Sequence, residues 1–182
     1  MNPISLDGHH LTLEEIEAVA DGAPVAIAPA ARERVKRARE FVDSRFDSGE
    51  RIYGVTTGFG RLANIAVDPV DAVALQLNLV RSHAAGTGEP LSIPFVRAAG
   101  VLRSNSLSAG HSGVKPETLE LLVAMLERGV TPVVPSQGSV GASGDLAPLA
   151  HMTLALIGEG EAFYRGERMP SRTALERAGL AP

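Results

Sequence analysis

Gly138-Ser139-Val140-Gly141-Ala142-Ser143-Gly144-Asp145-Leu146-Ala147-Pro148-Leu149 is a glycine-rich loop running into an apolar segment, and Ala142-Ser143-Gly144 lies at its centre. Gly144 has no Cβ, so its backbone nitrogen can approach the Ala142 carbonyl carbon where another residue would clash. Ring closure with loss of water would give an imidazolone. Loss of the Ser143 hydroxyl as a second water would leave a methylidene carbon that accepts electrons. No ordinary side chain is an electrophile, and some eliminations need one. Asp145, next in the chain, suits two roles: capping the helix that includes Pro148, and assisting ring formation by orienting backbone groups or exchanging protons.

Other readings of these glycines are weaker. The second glycine of Gly141-Ala142-Ser143-Gly144 comes one residue too early for a G-x-S-x-G nucleophile elbow. No stretch reads G-x-x-x-x-G-K-[ST], so a phosphate-cradling loop has no support. An isolated Ala-Ser-Gly would be read as a tight turn in which Ser143 merely caps backbone groups.

The flanks change that reading. The whole stretch resembles the signature of the aromatic amino acid ammonia-lyases, whose prosthetic group is a 4-methylidene-imidazol-5-one made from Ala-Ser-Gly. Two further stretches resemble the same family in the same order: Tyr53-Gly54-Val55-Thr56-Thr57-Gly58-Phe59-Gly60 and Asn78-Leu79-Val80-Arg81-Ser82-His83-Ala84-Ala85-Gly86-Thr87-Gly88. The resemblance runs over nearly the whole chain. It implies a prosthetic group derived from Ala142, Ser143 and Gly144, with no external cofactor. It also implies Tyr53 as the catalytic base, with Gly60 and Asp145 in support. Arg103 and Asn105 match a polar family stretch and are expected to be structural.

His83 carries the substrate expectation. By resemblance this position faces the side chain of the bound amino acid, and Ser82-His83 is similar to the histidine-specific members. Phenylalanine-specific members typically have an apolar residue there. Tyrosine-specific members also have a histidine, but after residues unlike Arg81-Ser82. The implied reaction is elimination of ammonia from L-histidine to give urocanate. Tyrosine or phenylalanine lyases, aminomutases on the same scaffold and a non-catalytic assembly fragment are the alternatives.

Read without the resemblance, the same side chains are ordinary. A lone histidine at a helix C-terminus usually favours the dipole or fills a hydrogen bond. A loop tyrosine is usually half-buried with its hydroxyl bonded. As a base, Tyr53 would need its phenolate stabilised, since a free phenol titrates near a pH of about 10. Backbone amides of the glycine-rich loops or helix N-termini could do this. Tyr164 matches no catalytic motif. His9 and His10 are expected to be exposed, His111 falls in a turn, and His151 suits a structural hydrogen bond. No histidine pair has metal-ligand spacing with a nearby carboxylate, so no metal site is expected.

At 182 residues the chain fits a single domain with a substantial core. A net charge of −4 gives no nucleic-acid footprint. All but two of the 17 basic residues are arginine, Lys36 and Lys115 being the exceptions, which reads as genomic composition. The absence of cysteine excludes disulfides and thiolate metal sites and fits a cytoplasmic protein. Neither a signal peptide nor a membrane span is visible.

The chain reads as mainly α. Thr12 and Glu15 form a capping box before Ile16, Val19 and Ala20. A helix over 29–48 would bury Val35, Ala38, Phe41, Val42 and Phe46, with a solvated face of arginines and acids. Residues 51–67 are loop-rich, with room for a short strand. Asp68-Pro69 starts a helix with Val70, Val73, Leu77 and Val80 inward. Pro94 begins another running through Leu102, and Pro116 opens one ending at Gly129, with Leu119, Leu122, Val123 and Leu126 as its stripe. A helix over 146–157, a hairpin over 161–170 with Gly166 at its tip and a short helix over 171–178 complete the pattern. Family members are considerably longer, so residues 1–182 are expected to be an N-terminal portion truncated before their long central helices. The family is homotetrameric. Without those helices the stripe Leu119, Leu122 and Leu126 is expected to be uncovered, favouring self-association.

Overall fold

The Thr12 hydroxyl accepts the Glu15 N–H at 3.2 Å, and the Glu15 carboxylate accepts the Thr12 N–H at 2.9 Å. These two bonds start helix α1 (Leu13–Ala20) as the capping box predicts. The molecule is described here by a computed structural model covering residues 2–58 and 69–182. The other helices are α2 (Pro29–Asp47), α3 (Pro69–His83), α4 (Ile93–Ser108), α5 (Pro116–Arg128), α6 (Leu146–Leu156) and α7 (Ser171–Arg177). The mainly α reading holds. Asp68 and Gly60 lie outside the described residues.

The short strands form three small sheets. β1 (Ile4–Leu6) and β2 (Val25–Ile27) pair in parallel, Ile4 with Val25 and Leu6 with Ile27. β3 (Thr87–Pro90) pairs antiparallel with β5 (Pro135–Gln137) across an irregular register. β4 (Thr131–Pro132) adds a third strand to the expected hairpin of β6 (Glu161–Tyr164) and β7 (Glu167–Pro170). Arg165 and Gly166 turn that hairpin with φ of 51° and 81°.

Helix α4 is the centre of the packing, lying against α1, α2 and α5. Its Val101 meets Val19, Leu119, Met125 and Leu175 in one core. Ser104 and Ser108 are both fully buried. They donate to the carbonyls of Gly100 and Ser104 at 2.8 Å, so neither hydroxyl is left unsatisfied. Buried Arg97 gives Nε to the Val19 carbonyl at 3.0 Å and Nη1 to the Leu126 carbonyl at 2.9 Å. The last turns of α1 and α5 are thereby tied to α4 through carbonyls that also accept the Gly22 and Gly129 N–H groups at 3.0 and 3.4 Å. Burial pushes the Arg97 pKa down and nearby Glu127 opposes this. An arginine stays charged regardless. Helix α5 ends at Gly129, whose φ of 71° is the left-handed geometry a glycine cap favours.

Three packing expectations are corrected. Phe41 of α2 is 58% exposed and lies beneath the Arg45 guanidinium at 5.0 Å instead of in the core. Val73 of α3 is 70% exposed, not inward. The α5 stripe is not uncovered, because α2, α4 and β2 cover it and Leu119, Leu122 and Leu126 are all buried. The apolar side chains left exposed include Phe95 and Leu102 on α4. Helix α4 also runs further than expected, to Ser108. Asn105 acts structurally as expected, its side-chain oxygen accepting the Gly8 N–H at 2.9 Å. Among the described residues no helix is long and apolar enough to cross a membrane.

Candidate active site

A second small core places the functional loops. Val96 of α4, Met152 of α6 and Val134 pack together with Leu91, Ala99 and Leu149. This fixes the N-terminal half of α6, and the loop before it, beside β3 and the end of α3. An open cleft of about 490 Å³ lies between them, with Ser82, His83 and Ala85 on one side and Gln137, Gly138, Val140, Leu146 and Ala147 on the other. Val140 and Leu146 bracket the Ala142-Ser143-Gly144 tripeptide in sequence, although the tripeptide itself does not line the cleft.

His83 is the last residue of α3, and its ring is held by its own helix. Nδ1 lies 2.9 Å from the Leu79 carbonyl and 3.2 Å from Ser82 Oγ. Ser82 donates its hydrogen to the same carbonyl at 2.9 Å, so both neighbours of Nδ1 can only accept. These acceptors place a proton on Nδ1, so that in the neutral ring Nε2 is the acceptor. Arg81, two residues earlier, grips Glu159 through Nε at 3.0 Å and Nη2 at 2.5 Å, anchoring this end of α3 to the turn after α6. That hydrogen bonding, followed by the ion-pair attraction, holds the Glu159 carboxyl below its ordinary range.

The tripeptide loop satisfies a demanding local geometry. Gly144 has a φ of 75°, and a Cβ built on it would lie 2.6 Å from Ser139 Oγ. The conformation favours glycine there, while the contact could be relieved by turning the Ser139 hydroxyl away. The Ser143 hydroxyl donates to Asp145 Oδ1. This corrects the capping expectation: Asp145 occupies the N-cap position of α6 but makes no side-chain capping bond. A carboxylate is a strong acceptor for a hydroxyl, and Ser143 reaches it before the helix amides do. A glycine in the left-handed conformation, beside a serine whose hydroxyl already meets a proton acceptor, fits a group formed from these three residues.

Tyr53 stands elsewhere on the surface. It is 63% exposed, in a turn over residues 53–56, and is not among the side chains lining the cleft. Two threonines organise that turn. Thr56 Oγ1 accepts the Ile52 N–H at 2.7 Å and donates to the Glu50 carbonyl at 2.6 Å, while buried Thr57 accepts the Gly54 N–H at 3.3 Å. Gln76 of α3 donates to the Gly54 carbonyl at 3.2 Å, docking the turn on the helix that ends in His83. At about 1.5 Å per residue, that anchor is roughly 10 Å along the axis from His83.

Sequence reasoning missed the contact that joins the two loops. A Cβ on Gly138 would lie 3.1 Å from Gly86 Cα and 3.3 Å from the Ala147 Cβ. The Gly86 N–H donates to His151 Nε2 at 3.0 Å. Burial pushes the His151 pKa below the ordinary imidazole value. The ring is therefore neutral at pH 7, with Nε2 free to accept. The available signals were two glycines in stretches already singled out and His151, which makes the structural hydrogen bond expected of it. Among the described residues no three His, Asp or Glu side chains gather as a metal site would require.

A family model described as aromatic amino acid lyase matches residues 11–182. The histidine ammonia-lyase of Anaeromyxobacter sp. (strain K) is 57% identical over 190 residues, covering all of this chain and 37% of that protein. The chain therefore spans little more than a third of the length of the curated relatives it matches. The crystal structure of tyrosine aminomutase from Streptomyces globisporus superposes with a TM-score of 0.91 at 38% identity, covering all of this chain and 34% of that one. The ergothioneine-degrading ergothionase of Treponema denticola superposes at 0.95 with 35% identity, over all of this chain and 36% of its own.

Proposed function

The chain belongs to the aromatic amino acid lyase family, and from that premise we propose that the whole protein eliminates ammonia from L-histidine to give urocanate. The observation that carries this reading is that His83 shares a cleft with Val140 and Leu146, which bracket Ala142-Ser143-Gly144. The identity with the Anaeromyxobacter histidine ammonia-lyase supports the choice of substrate. In the reaction the Cα–N bond and one Cβ–H bond break, a Cα=Cβ bond forms, and ammonia and a proton leave.

Removing ammonia is hard because the amine leaves poorly and the β-hydrogen is barely acidic. A methylidene-imidazolone formed from Ala142, Ser143 and Gly144 supplies the electrophile that assists the first problem. The chain's own side chains address the rest. Asp145 Oδ1 accepts the Ser143 hydroxyl hydrogen and so can exchange a proton with it. Tyr53 Oη is the proposed acceptor of the β-proton, with Thr56 and Thr57 fixing its backbone. Tyr53 is outside the cleft of its own chain, which suits a homotetramer in which each active site combines residues of several subunits. With Nδ1 held by the Leu79 carbonyl, Nε2 of a neutral His83 accepts the N–H of the substrate imidazole.

His83→Phe in the whole protein is expected to shift the kcat/KM preference for histidine over phenylalanine by about 10²-fold or more, because a site built to bond a polar group loses that group. Steady-state kinetics with L-histidine, L-tyrosine and L-phenylalanine test this. An unaltered preference would remove His83 as the specificity residue, and a wild type that prefers tyrosine would move the assignment to the tyrosine-specific enzymes.

The 182 residues are proposed as the N-terminal portion of this enzyme, catalytically silent by themselves and with the tripeptide uncyclised. Closing the ring compresses the backbone against amide resonance, which the surrounding structure must enforce. The tripeptide loop is largely exposed here, and Val73, Phe95, Leu102 and Leu146 present apolar surface. Such surface favours self-association. Intact mass and size-exclusion chromatography of the chain test both points. The expected result is the full unmodified mass in an associated state, whereas a mass short by two waters would show that the local sequence suffices for cyclisation.

A further inference from the structure

We propose that His151 is a positioning residue for the substrate-binding wall: its Nε2 holds the Gly86 amide and so fixes the backbone leaving His83 against the loop that carries the tripeptide. This rests on the reading that His83 meets substrate. As the chain leaves α3, the Ala84 N–H still bonds back to Val80 at 3.1 Å and the Ala85 N–H to the His83 carbonyl at 2.8 Å. The Gly86 N–H is the next donor, and it is taken by a side chain from 65 residues further on.

His151 and Ala147 are one helical turn apart on α6 and share a face. Ala147 bears on Gly138 and His151 on Gly86, so this face of α6 sets the spacing of both backbones. There is no slack between them. A Cβ on Gly86 would lie 3.0 Å from His151 Nε2 and 3.3 Å from the Gln137 carbonyl. His83 is three residues before Gly86 and lines the cleft with Gly138, so a shift at Gly86 changes the separation of the two cleft walls. An apolar residue at 151 would fill the same space without accepting the amide. The chemical role lies in the acceptor.

The test compares His151→Phe with His151→Gln in the full-length protein. Glutamine can bring its side-chain oxygen near the position of Nε2, whereas phenylalanine keeps the bulk without an acceptor. The readouts are KM and kcat for L-histidine, amide hydrogen exchange of a peptide spanning residues 84–88, and intact mass. The phenylalanine variant is expected to raise KM about tenfold, the order of one lost hydrogen bond, with kcat changed much less. It is also expected to exchange the Gly86 amide faster and to keep the mass shift of the wild type. The glutamine variant should restore both KM and exchange. Wild-type exchange in His151→Phe, or a glutamine variant indistinguishable from it, overturns the proposal. Should His151→Phe fail to assemble, His151→Asn, too short to reach Gly86, makes the same comparison. A wild type that turns over another amino acid would sink the histidine reading, while exchange at Gly86 would still decide the role of His151.

Discussion

Whole protein carrying Ser143→Ala is expected to lose ammonia-lyase turnover completely while keeping its helical content. Alanine has no β-hydroxyl to leave as water, so a methylidene carbon cannot arise at residue 143. The substitution removes one oxygen from an exposed loop, an oxygen that donates to Asp145 of the same loop. Changes of that kind usually move stability by no more than about 0.5 kcal/mol. Urocanate formation and intact mass are the paired measurements. Wild type should be short of its sequence mass by two waters, and the variant should not show that loss. Retained turnover in the variant would mean that the tripeptide is not the source of the electrophile.

Tyr53→Phe is expected to lower kcat by about 10²- to 10⁴-fold, the usual contribution of a positioned proton acceptor. KM should move little, since the phenol is proposed to act on the β-hydrogen during reaction and not to hold the substrate. Stability should change little as well. The ring is mostly exposed, and its turn is held by backbone and threonine bonds that the substitution leaves intact. Stopped-flow or steady-state production of urocanate, with a denaturant melt as the control, separates these effects. An unchanged kcat would place the base elsewhere.

Much of the fold was legible where the physics is local. The Thr12–Glu15 capping box, the α5 stripe ending at Gly129 and the hairpin turning at Gly166 are each specified by residues within a few positions of one another. The β1–β2 pairing was not legible. Three residues on each side carry no usable period, and the partner strand is about twenty positions away. β5 was hidden by its proline and its irregular register with β3. Phe41 and Val73 were misread because periodicity gives a helix its apolar face without saying whether any element covers it.

The site divides in the same way. His83 at the end of α3 and the tripeptide before α6 could be read directly. Three features could not. Asp145 turned from the helix amides to Ser143, a competition between two nearby donors that sequence does not rank. The Gln76 anchor beneath Tyr53 joins residues 22 positions apart, and the Gly86–Gly138 contact is made of atoms that carry no side-chain signal at all.

Arg97 has a consequence for how the molecule comes apart. One guanidinium bonds the last turns of two helices that are distant in sequence, so fraying at Val19 and fraying at Leu126 are coupled. Releasing either carbonyl strands part of a buried cation, which costs more than the lost bond itself. The ends of α1 and α5 are thereby bound to the N-terminal part of α4, and loosening one weakens the hold on the other. Lysine could not reproduce this, because a single ammonium lacks the planar fork whose separate nitrogens meet the two carbonyls.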